Sequence, residues 1–271
     1  MVQLHKYSGA GNDFVVLDGR TEDVSAFRSA QRIAELCDRR SGFVAADGRI
    51  GADGLMILTD DPDYDFRMEY YNSDGSGGMM CGNGGRCIVA FADALGLQPA
   101  DGRVFRFVAA DGPHTGEILA RDGDRKTVRI RMIDVHTFHP ALDGWFLDTG
   151  TRHFVRFVPD VEAVDIEKEG RQARWDPLFA PVGANANFVS VDPDGTLRVR
   201  TFEKGVEAET LACGTGITAS AIAAFLCHPE RSEGSQHYDI QARIARLAVD
   251  FRPEGDHFTD VYLTGPADEI R

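Results

Sequence analysis

Two cysteines stand in the same short motif at two places in the chain. Cys81 opens Cys-Gly-Asn-Gly and Cys213 opens Cys-Gly-Thr-Gly, and an apolar stretch rich in alanine follows each motif. A helix that begins there leaves its first backbone amides without intrahelical partners, and its dipole favours negative charge. We therefore expect both thiols to have a pKa below the ordinary cysteine value of about 8.5.

Two thiols in opposite protonation states suit the inversion of a stereocentre next to a carboxylate. A thiolate can remove the proton from one face of the carbon, and a thiol can return a proton to the other face. The amides of the two motifs can hold the carboxylate and stabilise the developing carbanion, which matters because no cofactor is expected as an electron sink. If two halves of the chain pack face to face, we expect Cys81 and Cys213 to flank one ligand.

Stretches that alternate apolar and polar residues recur along the chain and predict β-strands. We expect these strands to position the two cysteine motifs. The predicted strands are 13–17, 55–58, 66–71, 104–109, 128–132, 154–158, 188–191, 197–202, 245–251 and 260–263. Residues 86–95 and 217–226 predict buried helices, and residues 25–38 predict an amphipathic outer helix.

An internal duplication relates the two cysteine motifs. Asn72 and Glu203 lie 131 residues apart, Cys81 and Cys213 lie 132 apart, and a third similarity upstream has an offset of about 140. Three matches in the same order predict two similar α/β halves, each with strands around a buried helix. We place the N-terminal half at residues 1–122 plus 262–271 and the C-terminal half at 123–261.

Composition narrows the class of protein further. The 271 residues carry 43 acidic and 29 basic side chains, a formal charge of -14, which argues against a nucleic-acid partner. No run of 18 apolar residues and no signal sequence are found, so we expect a cytoplasmic protein without a membrane partner. Five cysteines without Cys-x-x-Cys spacing argue against a disulfide framework and against a structural metal site.

The motifs, taken together, resemble the diaminopimelate epimerase family. They are Gly-Ala-Gly-Asn-Asp-Phe from Gly9, Ile-Gly-Ala-Asp-Gly from Ile50, Tyr-Asn-Ser-Asp-Gly-Ser from Tyr71, Met-Cys-Gly-Asn-Gly-Gly-Arg-Cys from Met80, Asn-Ala-Asn-Phe from Asn185 and Glu-Thr-Leu-Ala-Cys-Gly-Thr-Gly from Glu209. The resemblance implies a cofactor-independent epimerase that interconverts LL- and meso-diaminopimelate in lysine and peptidoglycan precursor biosynthesis. It also implies an α/β (α+β) fold of two pseudo-symmetric halves, each a barrel-like sheet around a central helix.

The resemblance assigns roles to individual residues. Cys81 and Cys213 would transfer the protons, and His153, Thr151 and Glu203 would tune the site, with His153 beside the cysteines. The substrate's carboxylates and amino groups would contact Asn12, Asn72, Gly82, Asn83, Asn185, Glu203, Lys204, Gly214 and Thr215. Family members are often dimers, so a homodimer is a further expectation.

Several positions depart from the family pattern. Lys204 stands where the family usually has arginine, Thr151-Arg152 replace an Asn-Pro or Ser-Pro pair, and Gly54 replaces a glutamine of some members. Compared with the family pattern, residues 42–49 look like additional residues before the motif that begins at Ile50. Lysine offers a point charge where arginine grips a carboxylate with two bonds, so these changes leave the substrate's identity open.

Two alternatives to the epimerase remain at this stage. A racemase or isomerase of the same fold could act on proline, hydroxyproline or histidine, and a dithiol redox protein could use Cys81 and Cys213 without binding amino acids. Simpler structural roles also remain. Cys37, Cys87 and Cys227 could serve packing alone, and His153 could be a buried histidine whose hydrogen bonds are satisfied within the core.

Overall fold

The computed structural model describes residues 2–78, 80–227 and 234–271, and the chain divides into two compact units. The first unit holds residues 1–130 and 265–271, and the second holds residues 131–264. The boundaries between the units lie after residues 130 and 264, whereas the sequence predicted them after residues 122 and 261. The strand Arg125–Arg131 pairs with the strand Gly112–Asp122 that precedes it, so most of it belongs to the first unit.

Sixteen strands and four α-helices are formed by the described residues. The strands are β1 (His5–Gly9), β2 (Asn12–Asp18), β3 (Gly54–Thr59), β4 (Phe66–Asn72), β5 (Val104–Ala109), β6 (Gly112–Asp122), β7 (Arg125–Arg131), β8 (Thr137–Ala141), β9 (Gly144–Asp148), β10 (Arg152–Phe157), β11 (Asn185–Val191), β12 (Leu197–Glu203), β13 (Ala208–Thr210), β14 (Gln236–Gln241), β15 (Arg246–Glu254) and β16 (His257–Glu269). The helices are α1 (Ala30–Cys37), α2 (Gly82–Ala94), α3 (Arg171–Arg174) and α4 (Gly214–Leu226). Single 3₁₀ or π turns lie at Ser25–Arg28, Val161–Ala163, Ile166–Gly170 and Pro177–Phe179.

The first unit is a closed barrel of eight strands. Its strands follow the order β1 to β7 and then the end of β16, which pairs with both β7 and β1 and so closes the ring. The helix α2 packs against β1, β2, β3 and β6, and its residues from Asn83 to Ala92 are all buried. A helix buried on all sides by a sheet must be apolar around its whole circumference, as this one nearly is.

The second unit repeats this arrangement. Its strands follow the order β16, β15, β14, β12, β11, β10, β9 and β8. An isolated bridge pairs Val135, two residues before β8, with Phe258 of β16. The helix α4 packs against strands of this unit and is buried from Gly216 to Ala224.

The order of parallel and antiparallel pairs is the same in both units. From β1 to β7 the pairs run antiparallel, parallel, antiparallel, parallel, antiparallel and antiparallel. From β9 through β10, β11, β12, β14 and β15 to β16 the pairs run in the identical sequence. The predicted fold class, two similar halves of strands around a buried helix, is confirmed.

Both buried helices begin earlier than the sequence predicted. The expected starts were residues 86 and 217, whereas α2 begins at Gly82 and α4 at Gly214. Glycine is a poor helix former, so the first turns read as loops in the sequence, and their burial in the barrels outweighs that local preference.

The remaining outer segments also differ in detail from the prediction. The helix expected over 25–38 is a 3₁₀ turn followed by α1, because the side chain of Ser29 accepts a bond from the Arg32 amide and starts a new helix. Residues 42–49 form a tight loop in which the Ala45 amide donates to the Arg49 carbonyl. No helix in the described ranges is long and apolar enough to cross a bilayer.

Candidate active site

In the first unit, Cys81 is the N-cap of α2. Its backbone is extended, at φ -97° and ψ 147°, and its sulfur accepts a hydrogen bond from the Gly84 amide at 3.2 Å. The residue is partly exposed. The Gly84 amide can only donate a hydrogen bond, and it lies at the positive end of the helix. Both features favour the thiolate form of Cys81.

A chain of side-chain amides runs from this helix into the barrel. The buried guanidinium of Arg86 donates to Asn83 Oδ1 at 2.7 Å, and Asn83 Nδ2 donates to Asn12 Oδ1 at 2.7 Å. Asn12 Nδ2 then donates to a carboxylate oxygen of Asp53 at 3.0 Å. Because a cation stands at one end and an anion at the other, the orientation of both amides is determined.

Buried charges anchor the far end of this chain. Lys6 Nζ lies 2.8 Å from Asp13, and both side chains are almost fully buried. Arg39 bonds to both Asp13 and Asp53. Burial alone would raise the pKa of Asp13, but the bonds from Arg39 and Lys6 bring its pKa below the ordinary value.

Asn72 lies apart from this chain, at the exposed end of β4. Its Nδ2 donates to Ser76 Oγ at 2.9 Å, and its backbone closes the turn through residues 73–76. It pairs across the strands with Gly54, where an added Cβ would come within 2.5 Å of the Tyr71 carbonyl oxygen. A side chain at position 54 therefore requires this backbone to shift.

In the second unit, Cys213 is the N-cap of α4. Its sulfur lies 3.4 Å from Thr215 Oγ1, in the first turn of the helix, and the side chain is partly exposed. The Thr215 carbonyl accepts a bond from Thr149, which holds this turn against the barrel strands. Gly214 and Thr215 thus stand at the end of α4 that leaves amides available to an anion.

His153 lies beneath the same helix turn and is fully buried. Its Nε2 is 2.9 Å from Thr215 Oγ1, and its Nδ1 is 3.1 Å from Asn187 Nδ2. Burial, together with the charge of Lys204, lowers the pKa of His153 to about 3, so the imidazole is neutral near pH 7. Gly216 faces His153 and Asn187, and a Cβ at position 216 would come within 2.4 Å of Asn187 Oδ1.

The other expected contacts of this unit group around the end of β12. Asn185 Oδ1 accepts from the Lys204 amide at 2.7 Å, and Asn185 Nδ2 donates to the Arg152 carbonyl at 3.0 Å. Glu203 accepts a bond from Thr210 Oγ1 at 2.8 Å. Burial raises the pKa of the Glu203 carboxyl, which the bond from Thr210 opposes. Thr151 lies in the turn before β10, where its carbonyl accepts from the Thr149 amide.

The remaining cysteines have different surroundings. Cys37 and Cys87 are buried, and burial raises the pKa of Cys37 to about 11 and raises that of Cys87 as well. Cys227 is exposed at the end of α4. Within the described ranges, no three His, Cys, Asp or Glu side chains converge in the way that metal ligands do.

Sequence reasoning missed several residues that hold the site together. Four residues that were not assigned to the site bond to expected site residues, namely Asn187, Thr210, Asp53 and Arg86. Thr201, which was also not assigned, bonds to Asn187. A signal was present for two of them: Arg86 is a cation inside an otherwise buried helix, and Asn187 is a second asparagine on the face of β11 that also bears Asn185.

Known proteins are similar to this sequence over nearly its whole length. The family model described as diaminopimelate epimerase matches residues 4–128 and 145–268. A diaminopimelate epimerase from Flavobacterium psychrophilum is 38% identical over 269 residues, covering 99% of this chain and 98% of the relative. One from Chlorobaculum tepidum is 40% identical over 266 residues, covering 96% of each.

Solved structures share the fold at much lower identity. A phenazine biosynthesis protein of the PhzF family from Bacillus anthracis has a TM-score of 0.73 at 13% identity, over 99% of this chain and 96% of the other. A probable proline racemase from Agrobacterium radiobacter has a TM-score of 0.64 at 17% identity, over 100% and 92%. The structures support the architecture, and the sequence matches support the closer relationship. The chain belongs to the diaminopimelate epimerase family.

Proposed function

We propose that this protein interconverts LL- and meso-2,6-diaminopimelate by passing the α-proton between Cys81 and Cys213, without a cofactor, in lysine and peptidoglycan precursor biosynthesis. One observation carries the proposal: each thiol caps a buried helix of 13 residues in one of two units with the same strand order. The family's relatives are named for this reaction.

The proton transfer needs one thiolate and one thiol at the start of each turnover. The thiolate takes the α-proton, so an S–H bond forms as the C–H bond breaks, and the electron pair passes into the substrate carboxylate as an enediolate. The other thiol then protonates the opposite face of the carbon and becomes the thiolate. The reverse reaction uses the same two groups with their roles exchanged.

Backbone amides stabilise the enediolate in this proposal. Gly82 and Asn83 stand at the start of α2, and Gly214 and Thr215 stand at the start of α4. Amides at a helix start point at an anion without having to reorganise, which is the form of stabilisation that a cofactor-free carbanion reaction needs most.

Polar side chains would bind the rest of the substrate. We assign this role to Asn12, Asn72, Asn185, Glu203 and Lys204, with Thr151 and His153 tuning the site. The Glu203 carboxyl, whose pKa burial raises, can accept a bond from a substrate ammonium group. Lys204 would offer a single charge to a carboxylate where the family usually has arginine.

The test is proton NMR of the reduced protein in deuterated water with LL-diaminopimelate. We expect the α-proton signal to decline as solvent deuterium enters and the meso form to appear. Exchange with proline, hydroxyproline or histidine instead would keep the two-thiol chemistry and change the substrate. Inactivity toward every amino acid, with a defined disulfide potential, would favour a dithiol redox protein.

Assembly and location complete the proposal. We propose a homodimer in the cytoplasm, in line with the family resemblance and with the absence of a spanning helix among the described residues. Sedimentation of the purified protein at several concentrations tests the dimer, and a monomer at every concentration would contradict it.

A further inference from the structure

The amide of Asn187 has only one possible orientation. Its Nδ2 lies 3.0 Å from the carbonyl oxygen of Phe154, which can only accept a hydrogen bond. Thr201 Oγ1 donates to Asn187 Oδ1 from the other side at 2.9 Å. The Asn187 side chain is fully buried, so these two contacts hold its NH₂ group in place.

This orientation determines which nitrogen of His153 carries the proton. The second hydrogen of Asn187 Nδ2 points at His153 Nδ1, at 3.1 Å, so Nδ1 must accept and has no proton of its own. A neutral imidazole then carries its proton on Nε2. Nε2 lies 2.9 Å from Thr215 Oγ1 and therefore donates to that oxygen.

The direction of the Thr215 hydroxyl follows in turn. Within the described residues, Thr215 Oγ1 has two hydrogen-bond partners, His153 Nε2 and Cys213 Sγ. His153 Nε2 donates to Thr215 Oγ1, so the hydroxyl keeps its own hydrogen, and when Cys213 is a thiolate its sulfur, 3.4 Å away, can only accept that hydrogen. A hydroxyl that donates to sulfur stabilises the thiolate more than the thiol.

We propose that Asn187 is a positioning residue that sets the His153 tautomer and thereby makes Thr215 a hydrogen-bond donor to the sulfur of Cys213. In the proposed epimerase, on which this inference rests for its consequence, the relay prepares Cys213 to act as the base. Asn187 acts through His153 and Thr215.

The surroundings of His153 fit this assignment. Lys204 is the charged group that acts on the imidazole, and its positive charge favours the neutral ring that the relay requires. Gly216 lets α4 approach the pair closely, since a Cβ there would contact both Asn187 Oδ1 and His153 Cε1. Burial excludes water that could otherwise reverse the direction of the bonds.

The first test reads the tautomer directly in the unaltered protein. Nitrogen-15 NMR of protein labelled in its eight histidines distinguishes an Nε2–H ring from an Nδ1–H ring, and His153→Gln identifies the His153 signal. We expect the Nε2–H form from pH 6 to pH 8. An Nδ1–H ring in the unaltered protein would overturn the inference.

The second test changes the residue itself. In Asn187→Asp the carboxylate accepts from Nδ1, so at a pH where NMR shows a neutral ring the tautomer should reverse and Thr215 should donate to His153. Cys213, followed by mass spectrometry of peptides alkylated with iodoacetamide, should then react about tenfold more slowly. Ser190→Ala, at another buried polar position of β11, should leave the alkylation rate unchanged.

Each other outcome has a defined meaning. An unchanged tautomer or an unchanged Cys213 alkylation rate in Asn187→Asp would refute the role of Asn187. If Ser190→Ala slowed the alkylation of Cys213 equally, the effect of Asn187 would be one of packing and the relay would be refuted. The NMR and alkylation measurements use no substrate. A reversed tautomer with no epimerase activity in the parent protein would therefore refute the proposed function and leave the relay standing.

Discussion

The guanidinium of Arg86 donates to the side-chain oxygen of Asn83 across 2.7 Å, inside the helix that Cys81 caps. Its other contacts are to the Gly82 and Pro266 carbonyls, and no carboxylate among the described residues forms an ion pair with it. Burial lowers the pKa of Arg86 to about 10, so the group is still charged near pH 7. A buried cation in the first turns of a helix adds to the positive field at Cys81.

Replacing Arg86 tests this relationship. Arg86→Leu leaves the Asn83 oxygen without its donor and removes a charge near the Cys81 motif. Without this donor the Asn83 side chain can leave its place at the helix start, and because misplaced site groups cost up to about 10²-fold in rate, we expect kcat/KM for the epimerisation to fall roughly 10- to 100-fold. Arg86→Lys should recover part of the loss, and Arg125→Leu, at a mostly exposed arginine, should have no effect. Full activity in Arg86→Leu would contradict the assignment.

Removing either thiol should abolish turnover. Cys81→Ala lacks one proton-transfer group and Cys213→Ala lacks the other, and general acid–base groups contribute roughly 10²- to 10⁴-fold to a rate. We expect kcat for LL-diaminopimelate to fall by about 10³- to 10⁴-fold in each single variant. Cys227→Ala, at an exposed cysteine, is the matched control. A normal rate in either of the first two variants would exclude the two-thiol mechanism.

The rate should depend on pH in a bell shape. One thiol must be deprotonated and the other protonated, so activity should fall at low pH, where both are thiols, and at high pH, where both are thiolates. The measurement is kcat/KM between pH 5.5 and pH 10, with stability checked at each end. A rate that rises through the whole alkaline range would contradict the paired assignment.

Acid should destabilise the fold through His153. Its pKa is about 3 in the folded protein and about 6.5 when unfolded, so between these values the unfolded chain binds the extra proton. Stability therefore falls as pH drops below 6.5, by about 3 kcal/mol at pH 4.5 from this group. His153→Gln should show a smaller loss between pH 7 and pH 4.5 in urea unfolding. An equal loss in both proteins would refute the contribution of His153.

The buried pair of Lys6 and Asp13 should be sensitive to the loss of its cation. Lys6→Met leaves the Asp13 carboxylate buried with only the partly exposed Arg39 to balance it. Breaking such a pair costs about 3–5 kcal/mol, and the free energy of unfolding should fall by an amount of that order. Lys168→Met, at an exposed lysine, should change it by less than about 0.5 kcal/mol. Equal stability of the two variants would contradict this account.

The sequence by itself named the chemical groups of the proposed site. The two Cys-Gly-x-Gly motifs, their repeat distance and the resemblance were all readable from residue order, because glycine next to cysteine at a helix start is a local pattern. Strands with clear alternation, such as β5 and β12, were predicted with bounds close to those observed. The family assignment is confirmed by the sequence matches.

Other strands escaped prediction for a physical reason. The prediction lacked β1, β6, β8, β9, β13 and β14. β8 contains a proline and two exposed positions in its centre, and β14 has only two apolar residues among its six, so neither carries a strong local signal. Such segments become strands because a neighbouring strand satisfies their backbone groups, and the neighbour can be far away in sequence.

The tertiary structure alone decided how the site residues are oriented. Asn187 donates to His153 because β10 and β11 pair in one register, and Asn83 meets Asn12 because α2 lies inside the first barrel. Neither contact is encoded in local spacing: the partners lie 34 and 71 residues apart. Sequence therefore determined which chemical groups are present. Packing determined which way their hydrogen bonds point, because a buried amide takes its orientation from whatever donor or acceptor the fold places beside it.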